Sequence, residues 1–504
     1  MGVRTGQEYI DGLRDDRHLY VNGELVRDVT QYPPFRGVIR TLADLYDRQH
    51  DPAYQPLLTA PSPTSRQPVS TSFVLARTWE EMEQRLRGER LRCELTYGMM
   101  GRLPDFMNAF ITDMAAIRDL LGRHEPRFGE NAWQYYELCR ERDLCLTHTL
   151  VDPQIDRSQG VEAQEGLRIV KETDAGLVVR GARMLSTLAP LSDELWVAPY
   201  MPRKPGEEAY AVSFAVPVAT PGLKFICREP YDTGRSDFDR PLSSRFDEGD
   251  AIAIFEDVLV PWERVFAARD VDTYNLIAPA MPGSMTLQAV IRGTVKLCFM
   301  TGLASLVAQA VGRTEMVRYQ EMLGELVAYV ELAEGLLTAT AHDVLYNANH
   351  PLGAEGGSPA SPSAARGVIP GLGTLFGVPG RGMVGITTIR IFFPFAHARA
   401  VETIRMMGSS GLIMTPTEKD FAHPDLREIL PRYLRGRDIS AAERVRVMKL
   451  AWDAISNQFG GRQLMYEGFF AGDPINNRIL YYGIDKRKEC TAMAQRLLDS
   501  LKEK

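Results

Sequence analysis

The sequence predicts an α+β chain in three regions: a mainly helical N-terminal domain over 1–144, an antiparallel β domain of barrel or sandwich type over 145–272, and a helical bundle over 273–504. Three observations carry this. At 504 residues the chain exceeds one ordinary core, since about 150 residues make a domain. Near 145 the helical periodicity gives way to short β-type runs between Gly, Pro and Asp turns. Near 273 long helical periodicities return.

In the first region Asn22-Gly23, between the apolar flanks of LYVNGELV, predicts a hairpin. TLADLYDRQH and DFMNAFITDMAAIRDLL carry apolar stripes at helical spacing. In the second, GLVVRGARMLS, DELWVAPYM, AYAVSFAVPV, LKFICREPY and AIAIFEDVLVPW predict strands. In the third, TLQAVIRGTVKLCFMTGLASLVAQAVG is apolar on more than one face, as a helix inside a bundle is. A capping box from Ser440 to Glu443 opens a helix whose Val445, Met448, Trp452, Ile455 and Phe459 share a face. Gly460-Gly461 is expected to stop it. Residues 351–382, rich in Gly, Pro, Ala and Ser, read as a long loop and a candidate lid.

Composition narrows the function classes. Lys+Arg number 58 against 65 Asp+Glu, a net charge of −7, which excludes a general nucleic-acid binder and a polybasic membrane-surface protein. Hydrophobic residues at 45% and charged ones at 24% belong to a folded chain. The N-terminus has no apolar core of signal-peptide length and no apolar run reaches membrane-spanning length, so a cytoplasmic location is expected. The six cysteines form no CxxC pair, so no zinc or iron–sulfur site is expected from local spacing.

The order helical, β, helical resembles the acyl-CoA dehydrogenase-type fold. More specific strings follow: YGMMGRLPDF (97–106), LTHTLVDPQIDR (146–157), GLVVRGARMLSTLAPLSDEL (176–195), PLSSRFDEGDAIAIFEDVLVPWERVF (241–266) and FGGRQLMYEGFFAGD (459–473). In this order they resemble the 4-hydroxyphenylacetate 3-hydroxylase family, the oxygenase components of two-component aromatic monooxygenases. The resemblance runs from about residue 5 to 485.

It implies a FADH₂-dependent enzyme (FMNH₂ being the alternative) that hydroxylates a phenol to a catechol by a flavin C4a-hydroperoxide. It also implies a separate NAD(P)H:flavin reductase and a homotetramer. Such chemistry needs the phenol held close to phenolate by a fixed cation or strong donor, in a pocket that excludes water. Arg102 in GRLPDF is a permanent cation with five donors, and the resemblance places it on the substrate hydroxyl. His148 is implied to contact both substrate and flavin. For the flavin the resemblance adds Thr149, Leu150, Gln154, Ile155, Asp156, Arg157 and Thr187. Gly460, Gly461, Arg462 and Gln463 complete the cofactor set, the glycines permitting close backbone approach and Arg462 suiting a pyrophosphate. SSGLIMTP (409–416) is a weaker flavin or subunit-contact candidate.

Two departures bear on the substrate. Phe106 stands in the substrate set where family hydroxylases usually have Tyr; Phe keeps the ring and loses the donor, about 0.5–1.5 kcal/mol of net hydrogen bonding. Gln288 stands where several relatives have His. The rival reading is the sister 4-hydroxybutyryl-CoA dehydratase family, with FAD and an iron–sulfur cluster. Its ligand positions fall on Tyr97, Gly101, Gln288 and Val295, none of which binds iron as those ligands do. An acyl-CoA dehydrogenase and a non-catalytic flavin-binding homologue are the remaining alternatives. Reduced FAD and oxygen discriminate the last, because a scaffold shows only free-flavin oxidation.

Overall fold

Asn22 and Gly23 close their hairpin at positive φ, 51° and 81°, the backbone that a tight type I′ turn requires. A computed structural model describes residues 2–156, 158–351, 383–483 and 486–502. The expected long loop of 351–382 therefore lies, apart from Pro351, outside the described residues.

The strands in chain order are β1 His18–Val21, β2 Glu24–Val26, β3 Thr59–Pro61, β4 Pro68–Ser70, β5 Leu146–Thr149 and β6 Arg168–Thr173, then β7 Gly176–Arg183, β8 Glu194–Val197, β9 Val212–Pro217, β10 Leu223–Cys227, β11 Ala251–Pro261 and β12 Val265–Ala268. The five runs read as strands are β7 to β11. One sheet has the order β2-β1-β10-β11-β7-β6, another the order β12-β9-β8-β5, and β3-β4 stand apart. Phe214 of β9 meets Phe255 of β11 edge-on at 5.9 Å, joining the two larger sheets through their apolar faces. The pairing is mainly antiparallel, with two corrections to a purely antiparallel expectation: β1 runs parallel to β10, and β5 parallel to β8. The first arises because the Asn22-Gly23 hairpin leaves the helical region and completes the six-stranded sheet, with Leu19 and Val21 buried. Edge backbone groups of β10 gain partners that way.

The helix Ser284–Ala310 is buried along most of its length and packs against helices Trp79–Leu95, Pro104–Ala116, Val317–Asn349 and Phe393–Gly408. It is long and apolar enough by composition to cross a membrane, but 67% of its most apolar window is covered by the protein itself. That is how a central bundle helix behaves.

The Ser440 capping box forms: the Ser440 hydroxyl accepts from Glu443 N at 3.2 Å, and Glu443 accepts from Ser440 N at 2.9 Å. The helix it opens ends at Ile455, four residues short of Phe459. Gly460-Gly461 are not its stop. Asn457 caps a new helix, Gln458–Phe469, by accepting from Gly460 N at 2.9 Å. A Cβ on Gly460 would stand 2.7 Å from Ile455 N, so its lack of a side chain lets the second helix start hard against the first.

Candidate active site

Pro104 at the first position of helix Pro104–Ala116 fixes the helix entry and leaves Arg102 just outside it, with Phe106 in the first turn. The Arg102 backbone N–H is held by Glu248. His148 lies in the middle of β5, in register with Trp196 of β8, and both are buried. Phe110 packs edge-on against Trp196 at 4.5 Å and against His148 at 6.3 Å.

These elements bring Arg102 and His148 together. Arg102 Nε donates to His148 Nε2 at 3.0 Å. Arginine only donates, so Nε2 is the acceptor and the ring proton sits on Nδ1. His148 Nδ1 is buried and has no partner among the described residues. Burial first, and the Arg102 charge second, hold the His148 pKa well below its ordinary value. The imidazole is therefore neutral and offers one N–H.

The Arg102 guanidinium lies 4.1 Å from the centre of the Phe106 ring. Its Nη1 donates to Gly101 O at 3.1 Å and to the Tyr466 hydroxyl at 2.6 Å. Its Nη2 makes no hydrogen bond to the described residues. The result is a buried cation with one free edge, between the rings of Phe106 and Tyr466.

A second charged cluster braces the first. Arg462 donates to both oxygens of Asp250 at 2.8 Å and to Glu248 at 3.1 Å. Arg228 reaches Asp250 at 2.8 Å and pairs with Asp247 as well. Burial opposes ionisation of Asp250, yet Arg462 and Arg228 hold its pKa well below the usual range. Thr187 donates its hydroxyl to Asp250 at 2.6 Å.

The expected cofactor residues divide by environment. Thr149 is fully buried, its hydroxyl without a partner among the described residues. Leu150 is buried, and its carbonyl accepts from Arg183 at 2.6 Å. Gln154, Ile155 and Asp156 follow on an exposed loop, where Asp156 caps Ser158. Arg157 lies outside the described residues. Gly461 has open space where a Cβ would be. Arg462 and Gln463 are engaged internally: Arg462 with the carboxylates above, Gln463 with Lys296 and with Met99 O. SSGLIMTP contributes Ser409, Ser410 and Gly411 to a cavity of about 490 Å³ that Arg313, Arg437 and Arg444 also line.

Tyr466, Glu248 and Asp250 join this arrangement without having been expected from the sequence. Tyr466 follows Arg462 by one helical turn, a spacing that puts both on one face. The strings FGGRQLMYEGFF and SSRFDEGDAI contain all three residues. The four dehydratase ligand positions hold no thiol or imidazole: Tyr97 packs on Phe299 at 5.2 Å, Gly101 lies under Tyr466, Gln288 bonds Asp105 at 3.3 Å and Val295 is buried.

The three-part fold is that of the aromatic oxygenases. It superimposes with a TM-score of 0.86 on the oxygenase component of 4-hydroxyphenylacetate 3-monooxygenase solved with FAD and 4-hydroxyphenylacetate, at 37% identity over 99% of both chains. The chain belongs to the 4-hydroxyphenylacetate 3-hydroxylase family: the N-terminal family model matches residues 5–267 and the C-terminal model 280–350 and 382–499. The 4-hydroxyphenylacetate 3-monooxygenase oxygenase component of Thermus thermophilus is 38% identical, over 96% of this chain and 94% of the relative. An archaeal 4-hydroxybutyryl-CoA dehydratase shares the fold, with a TM-score of 0.80 over 99% of this chain and 95% of its own, but is only 20% identical.

Proposed function

We propose that the protein is the FADH₂-dependent oxygenase of a two-component system and hydroxylates a phenol ortho to its hydroxyl, giving a catechol. The observation that carries this reading is the Arg102–His148 contact at 3.0 Å, a fixed cation and a neutral N–H donor side by side in an aromatic pocket. Reduced flavin, when bound, would supply the two electrons that activate dioxygen, one oxygen atom of which enters the ring while the other leaves as water. The residues fit such a group: His148 Nδ1 and the Thr149 hydroxyl are buried polar atoms with no partner among the described residues, one a donor and the other able to donate or accept.

The chain's own side chains do the rest. The free edge of Arg102 binds the phenolic oxygen and favours its ionised form, which makes the ring electron-rich at the ortho carbon. His148, with Nε2 committed to Arg102, donates from Nδ1 and takes no proton. Phe106, Phe110 and Trp196 exclude water from the reacting atoms. A reductase of a separate chain, a homotetramer and a cytoplasmic setting complete the proposal, with a diffusible phenol or a carrier-tethered one as substrate.

The test is a panel of phenols with chemically reduced FAD and oxygen, scored by catechol and by hydrogen peroxide. Wild-type protein is expected to yield catechol, and Arg102→Ala to divert the oxygen to peroxide. Unaltered catechol yield in Arg102→Ala, or no catechol from any phenol, overturns the reading.

A further inference from the structure

Phe106 is the aromatic residue closest to the Arg102 guanidinium and has no polar atom to offer a ligand there. A different hydroxyl reaches the same place from the other end of the chain. Tyr466, in the helix Gln458–Phe469, takes a hydrogen bond from Arg102 Nη1 at 2.6 Å, and Arg102 lies 5.6 Å from its ring centre. A hydroxyl oxygen that accepts from a cation keeps its own proton for donation. Among the described residues no acceptor for the Tyr466 O–H exists.

The ring is held in place by its surroundings. Phe470 stacks on it at 4.9 Å and 7°. Arg292 and Arg462 approach its ring at 5.1 and 5.5 Å, and each is itself pinned by carboxylates, Arg292 by Glu467 and Arg462 by Asp250. The backbone at Gly101 makes room: a Cβ there would stand 2.3 Å from the Tyr466 hydroxyl oxygen.

We infer that Tyr466 is a substrate-binding residue, its O–H acting beside the free edge of Arg102 as the second donor to the phenolate oxygen, in the role that Phe106 cannot fill. Burial holds the Tyr466 phenol above its ordinary pKa even though Arg102 and Arg292 oppose this, so the hydroxyl stays protonated and able to donate. The inference rests on the proposed phenol chemistry and names the C-terminal bundle as a contributor to substrate choice.

The experiment uses the full chain and 4-nitrophenol, whose ionised form absorbs visible light, as a bound probe without turnover. Tyr466→Phe is expected to bind the nitrophenolate about ten- to hundredfold more weakly, as loss of one hydrogen bond to a charged group does, and to shift the bound probe towards its neutral spectrum. FAD affinity is expected to stay unchanged. Phe106→Tyr returns a donor to the pocket and is expected to strengthen nitrophenolate binding more in the Tyr466→Phe background than in wild-type protein, whereas equal gains in the two backgrounds overturn the role of Tyr466 as a donor. An unchanged spectrum and affinity in Tyr466→Phe, with Arg102→Ala losing both, overturns the role of Tyr466 and leaves the phenol reading intact. If Arg102→Ala also binds nitrophenolate normally, the phenol reading itself fails.

Discussion

Gly101 and Tyr466 are in such close contact that a Cβ on residue 101 would lie 2.3 Å from the tyrosine oxygen and 2.4 Å from its Cζ. Gly101 carries no positive φ, so space and not backbone conformation demands glycine here. Gly101→Ala is expected to push Tyr466 aside, break its bond to Arg102 and lower catechol yield about tenfold, the cost of one hydrogen bond to a charged group. Gly324→Ala is the control. Its Cβ meets nothing within 4 Å in the helix Val317–Asn349, and it is expected to raise stability by about 0.5–1 kcal/mol. Product analysis and thermal melting on the two variants check the contrast.

Buried ions lie against the ring of Tyr466. Glu467 receives Arg292 on both oxygens and Lys296 at 2.8 Å, with all three side chains at most 2% exposed. Burial opposes ionisation of Glu467, but Arg292 and Lys296 hold its pKa well below the usual range. Burial likewise brings Lys296 down to about 8 despite Glu467. Glu467→Gln strands two buried cations, and chemical denaturation is expected to show a loss of about 3–5 kcal/mol. Lys296→Met in the same background removes one stranded charge and is expected to recover part of it.

A pH dependence follows from His397. Burial first, and the Lys296 charge next, push its pKa from 6.5 down to about 3, and its Nε2 has no partner among the described residues. Arg292 also opposes its protonation and Glu467 favours it. The folded-state value lies below the unfolded one, so the unfolded chain takes up the proton first. The contribution of His397 to stability is therefore complete above pH 6.5 and is lost as pH drops from there towards 3, by up to about 1.4 kcal/mol per pH unit. His397→Gln is expected to flatten the slope of melting temperature against pH over roughly pH 6.5 to 5, where Glu467 remains ionised. An equally steep slope in the variant would show that His397 does not cause it.

Much of the fold was legible because its signals are local. The strands β7 to β11 announce themselves as apolar runs between turn residues, and the Ser440 box needs only residues three apart. The strand that carries His148 was not legible as one: β5 is four residues long, buried throughout, and has no alternation to mark it. The hairpin was legible but its destination was not, since β1 pairs with a strand about two hundred residues away. Gly460-Gly461 looked like a helix stop because glycine ends helices by default. Here Asn457 satisfies the freed N–H groups and starts another helix instead.

By itself the sequence determined the three-part α+β class, the Arg102 and His148 candidates and the resemblance that identified them, because periodicity, turn chemistry and contiguous motifs are written along one stretch of chain. Only the tertiary structure decided which nitrogen of His148 carries its proton, that Arg462 belongs to Asp250 and Glu248, and that Tyr466 stands beside Arg102 from 364 residues away. Those are questions of partners. A buried charge or donor takes its state from the groups folded against it, and their order along the chain does not say which these are.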